Sequence, residues 1–175
     1  MKTKIITFIV VCISTLLYAQ DNWKTLEQDN YTISYPDTWI SSDEKPQPSI
    51  RFLLLSEETS GAKDMFRENI NLTTENLGDR TISLKEYSEF SIDQVKAQFP
   101  SAELISNMTI DLNENKATSI IWKGDFGNNN ITLKFRQLFF IKKGTAYALT
   151  FSSSEAEFDH YSKIANSIFN SFKIN

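Results

Sequence analysis

The chain has 175 residues, with 18 Lys and Arg against 22 Asp and Glu and a formal net charge of −4. Nucleic-acid binding normally begins with a basic patch that releases counterions from phosphate, and the longest basic run here is the pair Lys142 and Lys143. Composition therefore argues against a nucleic-acid partner. One cysteine and one histidine are also too few ligands for a zinc or copper site of the usual kind.

The first residues predict an export signal. Two lysines precede an apolar run over residues 5–17, and Ala19 is a plausible cleavage point. The alternative is a membrane anchor, but the run is shorter than the roughly 20 apolar residues that a spanning helix needs, and no basic stop-transfer cluster follows it. We expect residues 1–19 to be a signal peptide and residues 20–175 to form one exported domain, periplasmic or secreted, with no stable membrane span after cleavage.

Cleavage there would also remove Cys12, the only cysteine. The mature domain would then have no disulfide, no thiolate nucleophile and no cysteine metal ligand. Cys12 could instead be the lipidated residue of a lipoprotein, but it follows Val10 and Val11, where such signals carry small residues. A simple exported protein is the preferred interpretation.

The stretch from Tyr31 to Trp39 predicts a strand that ends in a turn. Tyr31, Ile33 and Tyr35 alternate with polar residues, which is the period of a half-buried strand. Pro36 cannot donate to a strand ladder, so pairing should stop there. Trp39 then has to fold back onto an apolar surface, and we expect its ring to be buried.

A polar loop is expected at residues 41–49, and six strand candidates follow it: residues 50–55, 68–74, 102–110, 116–123, 131–141 and 145–151. The last two flank Gly144, which can take the positive φ of a short hairpin loop, so they should pair antiparallel. A second hairpin should turn at residues 112–115. Four consecutive apolar residues at 138–141 predict that both faces of the sheet are covered there.

Two segments have a helical period. Ser83 and Glu86 form a capping box, which predicts a helix running to about Gln98 with an apolar face of Leu84, Tyr87, Phe90, Val95 and Phe99. A second box, from Ser154 to Glu157, precedes a second helix. At ~100° per residue its apolar stripe, which should lie on the sheet, consists of Phe158, Tyr161, Ile164, Ala165, Ile168, Phe169 and Phe172.

Five features follow one another in a specific order. They are a strand at Trp23, the Tyr35-Pro36-x-x-Trp39 turn, a helix between early and late strands, a late meander, and a closing helix that ends Ile168-Phe169-Asn170-Ser171-Phe172. In this order the chain resembles the PsbP-like family, the extrinsic photosystem proteins and their exported bacterial relatives, including DcrB-type lipoproteins. The resemblance implies an α+β fold, an antiparallel β-sheet sandwiched by α-helices, and a non-catalytic accessory or binding role. Photosystem members help to retain calcium and chloride, but no motif here places an ion-binding residue.

His160 is the residue on which any histidine-based acid/base scheme would depend, and Asp159 stands beside it. It lies on the predicted polar side of the second helix, and no G-x-S-x-G turn is present to offer a serine nucleophile. We expect His160 to be a solvated surface residue.

Two polar segments invite a calcium interpretation. Residues 111–115 begin like an EF-hand loop, but Lys116 and Trp122 occupy the positions that need glycine and a bidentate glutamate. Residues 125–130 are rich in amides that tolerate left-handed turns. We predict polar turns at both places, with the question of a calcium site left open.

Further candidates have plain explanations. Four asparagines begin N-x-S/T sequons, which we interpret as a coincidence of composition: Asn30, Asn71, Asn107 and Asn130. Glu57 and Glu58 could serve acid/base chemistry if two carboxylates met in a cleft, but a solvated charge pair is commoner.

The leading hypothesis is an exported, non-enzymatic accessory or binding protein that acts through contacts with an unknown protein partner. We assign no catalytic, cofactor-binding or metal-binding residue. The 13 Phe, 6 Tyr and 3 Trp should mostly form the core, but they leave open a carrier of a hydrophobic ligand or peptide. A carboxylate-dependent hydrolase is the remaining alternative.

Overall fold

The computed structural model describes residues 22–28, 30–44, 46–58, 66–113, 115–126 and 131–175. The expected signal peptide, with Cys12, lies outside these residues. In chain order the elements are β1 (Trp23–Gln28), β2 (Tyr31–Pro36), β3 (Ile40–Ser42), β4 (Ile50–Leu55), β5 (Asn69–Asn76), α1 (Leu84–Gln98), β6 (Glu103–Leu112), β7 (Asn115–Gly124), β8 (Leu133–Lys142), β9 (Thr145–Ser154), α2 (Phe158–Ser171) and β10 (Lys173–Ile174).

The strands form a large sheet and a small one. The large sheet has seven antiparallel strands in the order β3-β4-β5-β9-β8-β7-β6, and the small sheet has the order β1-β2-β10. Helix α1 packs on one face of the large sheet, against Ile120, Trp122, Phe139 and Ala148. Helix α2 and the small sheet pack on the other face, in the main core. The expected α+β sandwich is confirmed, with the small sheet as an additional part of one layer.

Both expected hairpins are present. Lys143 and Gly144 have φ values of 51° and 72°, the two positive values that a two-residue hairpin loop of type I′ requires. At the other hairpin, Leu112 pairs with Asn115, and Asn113 has a φ of 53°. In β8, Leu138 and Phe140 are buried in the core under α2 while Phe139 is buried under α1, so both faces are covered there as expected.

The turn after β2 buries Trp39, as the sequence predicts. Tyr31, Ile33 and Tyr35 are buried on one side of β2, which ends at Pro36. The Trp39 amide donates to the Pro36 carbonyl at 3.0 Å, and its side chain is 3% exposed. The strand-and-turn segment therefore closes over the core.

Helix α2 fixes the small sheet to the large one. Its predicted stripe is buried or half-buried against the core. The Ser34 amide donates to Oγ of Ser171 at 2.8 Å, and this oxygen lies 3.0 Å from the Ser34 carbonyl. One hydroxyl therefore links the end of α2 to the middle of β2.

The capping box of α1 is confirmed, but its predicted apolar face is partly wrong. The Glu86 amide donates to Oγ of Ser83 at 3.2 Å, and the Ser83 amide donates to the Glu86 carboxylate at 2.8 Å. Phe90 is 57% exposed, whereas Ile92 is 7% exposed. Residues two apart on a helix lie about 200° apart, so Phe90 and Ile92 cannot share a face, and the buried one is Ile92.

Two other boundaries differ from the sequence-based expectation. The second capping box is only half formed. The Glu157 amide donates to Oγ of Ser154 at 3.3 Å, but Ser154 is the last residue of β9, where it pairs with Leu133, and α2 begins at Phe158 after Glu157, whose side chain makes no capping bond. Part of the expected loop is a strand, since β3 pairs with residues 53–55 of β4. In both places hydrogen bonds to a distant strand decide the local structure.

Candidate functional site

The α2 side of the large sheet is buried from β4 to β8, and its exposure increases only towards the edge strand β6: Leu138 and Ser119 are 1% and 2% exposed, whereas Met108 is 53% exposed. We call the part on β4, β5 and β9 the covered half and the part that runs out to β6 the uncovered half. The covered half, on β4, β5 and β9, lies in the core beneath α2 and the small sheet. On the uncovered half, side chains of β6, β7 and β8 stand in rows across the strands, because residues that pair in register point to the same side. Arg136 pairs with Ile121 and Ile121 with Ser106; in the next row Leu138 pairs with Ser119 and Ser119 with Met108. We call this half the β6–β8 face.

A pocket lies where the β6–β8 face meets α2. Its volume is about 270 Å³, and it is lined by Ile110, Asp111, Leu112, Arg136, Leu138, Asn166, Phe169 and Asn170. Strand β6 ends at the pocket, β8 supplies its arginine, and the C-terminal half of α2 supplies one wall. The lining combines apolar side chains, two amides and one guanidinium. Asp111 lies between Ile110 and Leu112 in β6, so its side chain points to the opposite side of the strand, where it pairs with Lys116.

Arg136 is the half-buried cation of this pocket. Its Nη1 donates to Oδ1 of Asn166, while its buried Nε has no hydrogen-bond partner. Burial lowers the pKa of the guanidinium, but arginine titrates so high that the group keeps its charge at neutral pH. No carboxylate of the described residues forms a salt bridge with it. A buried cation without a counter-ion can accept an anion from outside.

Beside the pocket, β6 is an exposed edge strand of 10 residues. Within the described part of the chain, no strand pairs with its outer side. It carries no proline, and its only charged residues, Glu103 and Asp111, stand near its ends. Ile105 is 45% exposed and Met108 is 53% exposed. Long edge strands without central charges or proline are the ones that pair with another chain.

His160 lies away from this site. It is exposed in the first turn of α2, where its ring stands edge-to-face with that of Tyr161 at 5.0 Å between centroids. Asp159 is exposed as well. The expectation of a surface histidine is confirmed.

The next features are the two polar turns predicted at residues 111–115 and 125–130. Asp111 precedes the hairpin between β6 and β7 and forms a salt bridge of 2.6 Å with Lys116. Residues 127–130, with Asn130, lie outside the described residues. Where the structure describes the protein, no three His, Cys, Asp or Glu residues come close enough together to hold a metal ion.

The remaining candidates do not converge on a site. Glu57 and Glu58 are exposed, and Glu58 pairs with Arg67 at 3.1 Å. Asn30 and Asn107 are exposed in a turn and in β6, while Asn71 is half-buried in β5.

Sequence reasoning missed Arg136. A signal was present, because Arg136 alternates in β8 with Leu138 and Phe140 on the side that packs under α2. A charged residue in an inward-facing position of a strand is rare unless it has a partner. Sequence reasoning also missed Glu68, which is buried beside β5 and accepts a hydrogen bond from Oγ of Ser153 at 3.1 Å.

Comparison of the sequence with models of protein families identifies the family of this chain. The model of PsbP-like proteins matches residues 5–174, so the chain belongs to the PsbP-like family. The resemblance inferred from the sequence is confirmed. No curated protein sequence matches the chain.

Solved structures show the same fold with low sequence identity. The cyanobacterial PsbP (CyanoP) of Synechocystis sp. PCC 6803 has a TM-score of 0.64 and 14% identity, covering 89% of this chain and 94% of its own. LpqN of Mycobacterium tuberculosis, involved in cell envelope biogenesis, has a TM-score of 0.61 and 15% identity, covering 88% and 91%. The Ran-binding protein Mog1p of Saccharomyces cerevisiae has a TM-score of 0.60 and 11% identity, covering 87% and 95%.

At these identities the likeness shows the fold alone, and the two roles that are named, Ran binding and cell envelope biogenesis, differ from each other. The fold therefore does not select one activity. Neither helix in the described part of the chain is long and apolar enough to cross a bilayer.

Proposed function

We propose that the chain is an exported, non-enzymatic binding protein that acts through contacts with another protein, and that residues 20–175 are its working domain. The observation that carries this proposal is the exposed outer edge of β6, which is regular from Ser106 to Leu112 and is interrupted by a bulge at Ile105. A polypeptide in extended conformation can add to such an edge through main-chain hydrogen bonds and gain specificity from the side groups along it. The exposed Met108 and Ile105 offer apolar contacts for that specificity.

Similar proteins give this proposal support of a general kind. One structural neighbour is described as a Ran-binding protein and another as involved in cell envelope biogenesis. The export signal expected at residues 1–19 would place the domain in the periplasm or outside the cell. There it would meet envelope proteins as partners.

A pair of matched variants tests the proposal. Met108 and Phe90 are exposed to a similar degree, at 53% and 57%, on β6 and α1. Affinity capture from native envelope extract, followed by quantitative mass spectrometry, would compare wild type with Met108→Lys and Phe90→Lys. We expect Met108→Lys to reduce the captured partner at least tenfold and Phe90→Lys to leave it unchanged. Equal capture by all three proteins would contradict a partner site on β6.

The two alternative classes make different predictions. A carrier of a hydrophobic ligand should co-purify with a lipid or apolar peptide, which native mass spectrometry of the exported protein would detect. A carboxylate-dependent hydrolase needs two carboxylates in one cleft, whereas Asp111 is the single acidic residue along the pocket beside Arg136 and its carboxylate pairs with Lys116. The mixed lining of this pocket favours binding over both alternatives.

A further inference from the structure

The pocket beside Arg136 allows the chemistry of the partner to be inferred, on the basis of the protein-binding role proposed above. We propose that this pocket anchors a carboxylate of the partner protein, presented by an Asp or Glu residue or by the partner's C-terminus. The apolar stem next to that carboxylate would lie against Ile110, Leu138 and Phe169, which line the same pocket.

The hydrogen bonds of Arg136 leave the required donors free. Nη1 is engaged by Asn166, which holds the guanidinium in the pocket wall. Nε has no acceptor, and Nη2 makes no hydrogen bond to the described residues. The Nε–H and Nη2–H groups point from one edge of the planar guanidinium, and a carboxylate can accept from both at once. Because Nε is buried, a carboxylate can accept from this edge only after the side chain rotates towards the pocket.

The surroundings favour a monoanion over a phosphate dianion. Asn166, Phe169 and Asn170 belong to the last turns of α2, which ends at Ser171. The C-terminal end of a helix carries partial negative charge, which disfavours anions of high charge. One guanidinium can balance one carboxylate in this field.

The size of the pocket favours a single side chain. Its volume is about 270 Å³. This is slightly below the ~300–1,000 Å³ of sites that enclose whole small-molecule ligands. A long acyl group would extend out of it, whereas one residue of a protein partner fits.

The test is an NMR titration of the exported domain, in which the Arg136 Nε–H cross-peak reports on the pocket. Five probes are compared at equal ionic strength. Ac-Val-Asp-Val-NH2 carries an aspartate carboxylate, Ac-Val-Val-Val-OH carries a terminal one, and Ac-Val-Asn-Val-NH2 is the neutral isostere of the first. Decanoate and inorganic phosphate represent lipid and phosphate sources.

We expect at least one of the two carboxylate peptides to shift the Arg136 Nε–H peak in a saturable way, and the asparagine peptide to leave it in place. The Arg136 variants lack this cross-peak, so their binding is followed by the backbone amide peaks of Ile110, Leu138 and Phe169, which line the pocket. Arg136→Gln should weaken peptide binding about tenfold or more, because a hydrogen bond to a charged group is lost. Arg136→Lys keeps the positive charge but lacks the planar guanidinium. We expect it to bind the carboxylate peptide more tightly than Arg136→Gln and less tightly than the wild type. Arg51→Gln is the control for net charge, since Arg51 lies on β4 and donates to Thr74 there.

Several results would overturn the inference. They are an equal shift with the asparagine peptide, tighter binding of phosphate or decanoate, or no shift with any probe. If no probe moves the Arg136 peak while Met108→Lys still abolishes partner capture, the carboxylate anchor is wrong and the protein-binding role stands. If the carboxylate peptides bind but Met108→Lys has no effect, the anchor stands and the β6 edge is not the docking site.

Discussion

The covered and uncovered halves of the α2 side belong to one sheet but use their polar groups differently. In the layer that covers β4, β5 and β9, Oγ of Ser171 in α2 accepts a hydrogen bond from the Ser34 amide of β2 at 2.8 Å and lies 2.6 Å from the Ile168 carbonyl. Three buried side-chain polar atoms of the described residues have no hydrogen-bond partner, and two of them, Oγ of Ser106 and Nε of Arg136, lie on the β6–β8 face. Unpaired buried groups cost free energy, and a partner molecule can supply what they lack. Under the proposed function, the covered half contributes mainly to stability, and the β6 end of the uncovered half offers the binding surface.

The largest expected effect is in the covered half, at Trp39. Its side chain is buried, with its ring 6.4 Å from that of Tyr161 between centroids. Trp39→Ala should lower the free energy of unfolding by about 3 to 5 kcal/mol, the usual range for deleting a large buried aromatic. Met108→Ala, on the uncovered half, should change it by less than about 0.5 kcal/mol. Denaturant unfolding measures both, and similar losses for the two variants would remove the distinction between the halves.

A smaller effect is expected where α2 is fastened to β2. Ser171→Ala removes the acceptor of the Ser34 amide and should cost about 1 to 2 kcal/mol, because a partly buried donor is left without a partner. Ser167→Ala is the control, since Ser167 is exposed on the same helix and bonds only to the Lys163 carbonyl. Both variants change helix propensity in the same way, but only Ser171→Ala removes the hydrogen bond to β2. The difference between their free energies of unfolding, measured by chemical denaturation, therefore gives the contribution of that bond. Equal stabilities would show that the hydroxyl link is unimportant.

On the uncovered half, a substitution at the proposed binding residue should not destabilise the fold. Arg136→Met removes a half-buried cation that has no counter-ion, and methionine can fill the same space. We expect the free energy of unfolding to stay equal or to rise by up to about 1 kcal/mol, because the desolvation of the charge is avoided. A thermal or denaturant melt with a loss above about 1 kcal/mol would show that Arg136 has a structural role instead.

The smallest effect is expected at His160, which belongs to neither half. His160→Ala should leave stability within about 0.5 kcal/mol and leave the biological phenotype unchanged, as for ordinary surface positions. A folded variant that had lost its function would reopen the search for a carboxylate or serine within hydrogen-bonding distance of that ring.

A feature of this structure could be predicted from the sequence when the residues that form it lie close together along the chain. The alternation in β2, the capping box at Ser83 and the stripe of α2 are local patterns, and each is found in the structure. Strand β10 has 2 residues and no pattern of its own, and it exists because it pairs with β2. The partner of Arg136 is Asn166, 30 residues further along the sequence, and no local pattern brings the two together. The pocket could not be predicted for the same reason.

The central claim is that the β6 edge of the β6–β8 face is where a partner binds. Site-specific photocrosslinking in living cells tests it most directly, with a photoreactive amino acid placed at Met108 or, as the matched exposed control on α1, at Phe90. We predict a discrete crosslinked adduct from position 108 and none from position 90, with the adduct weakened by Arg136→Gln. Adducts of equal yield from both positions, or an adduct from position 90 alone, would contradict the claim.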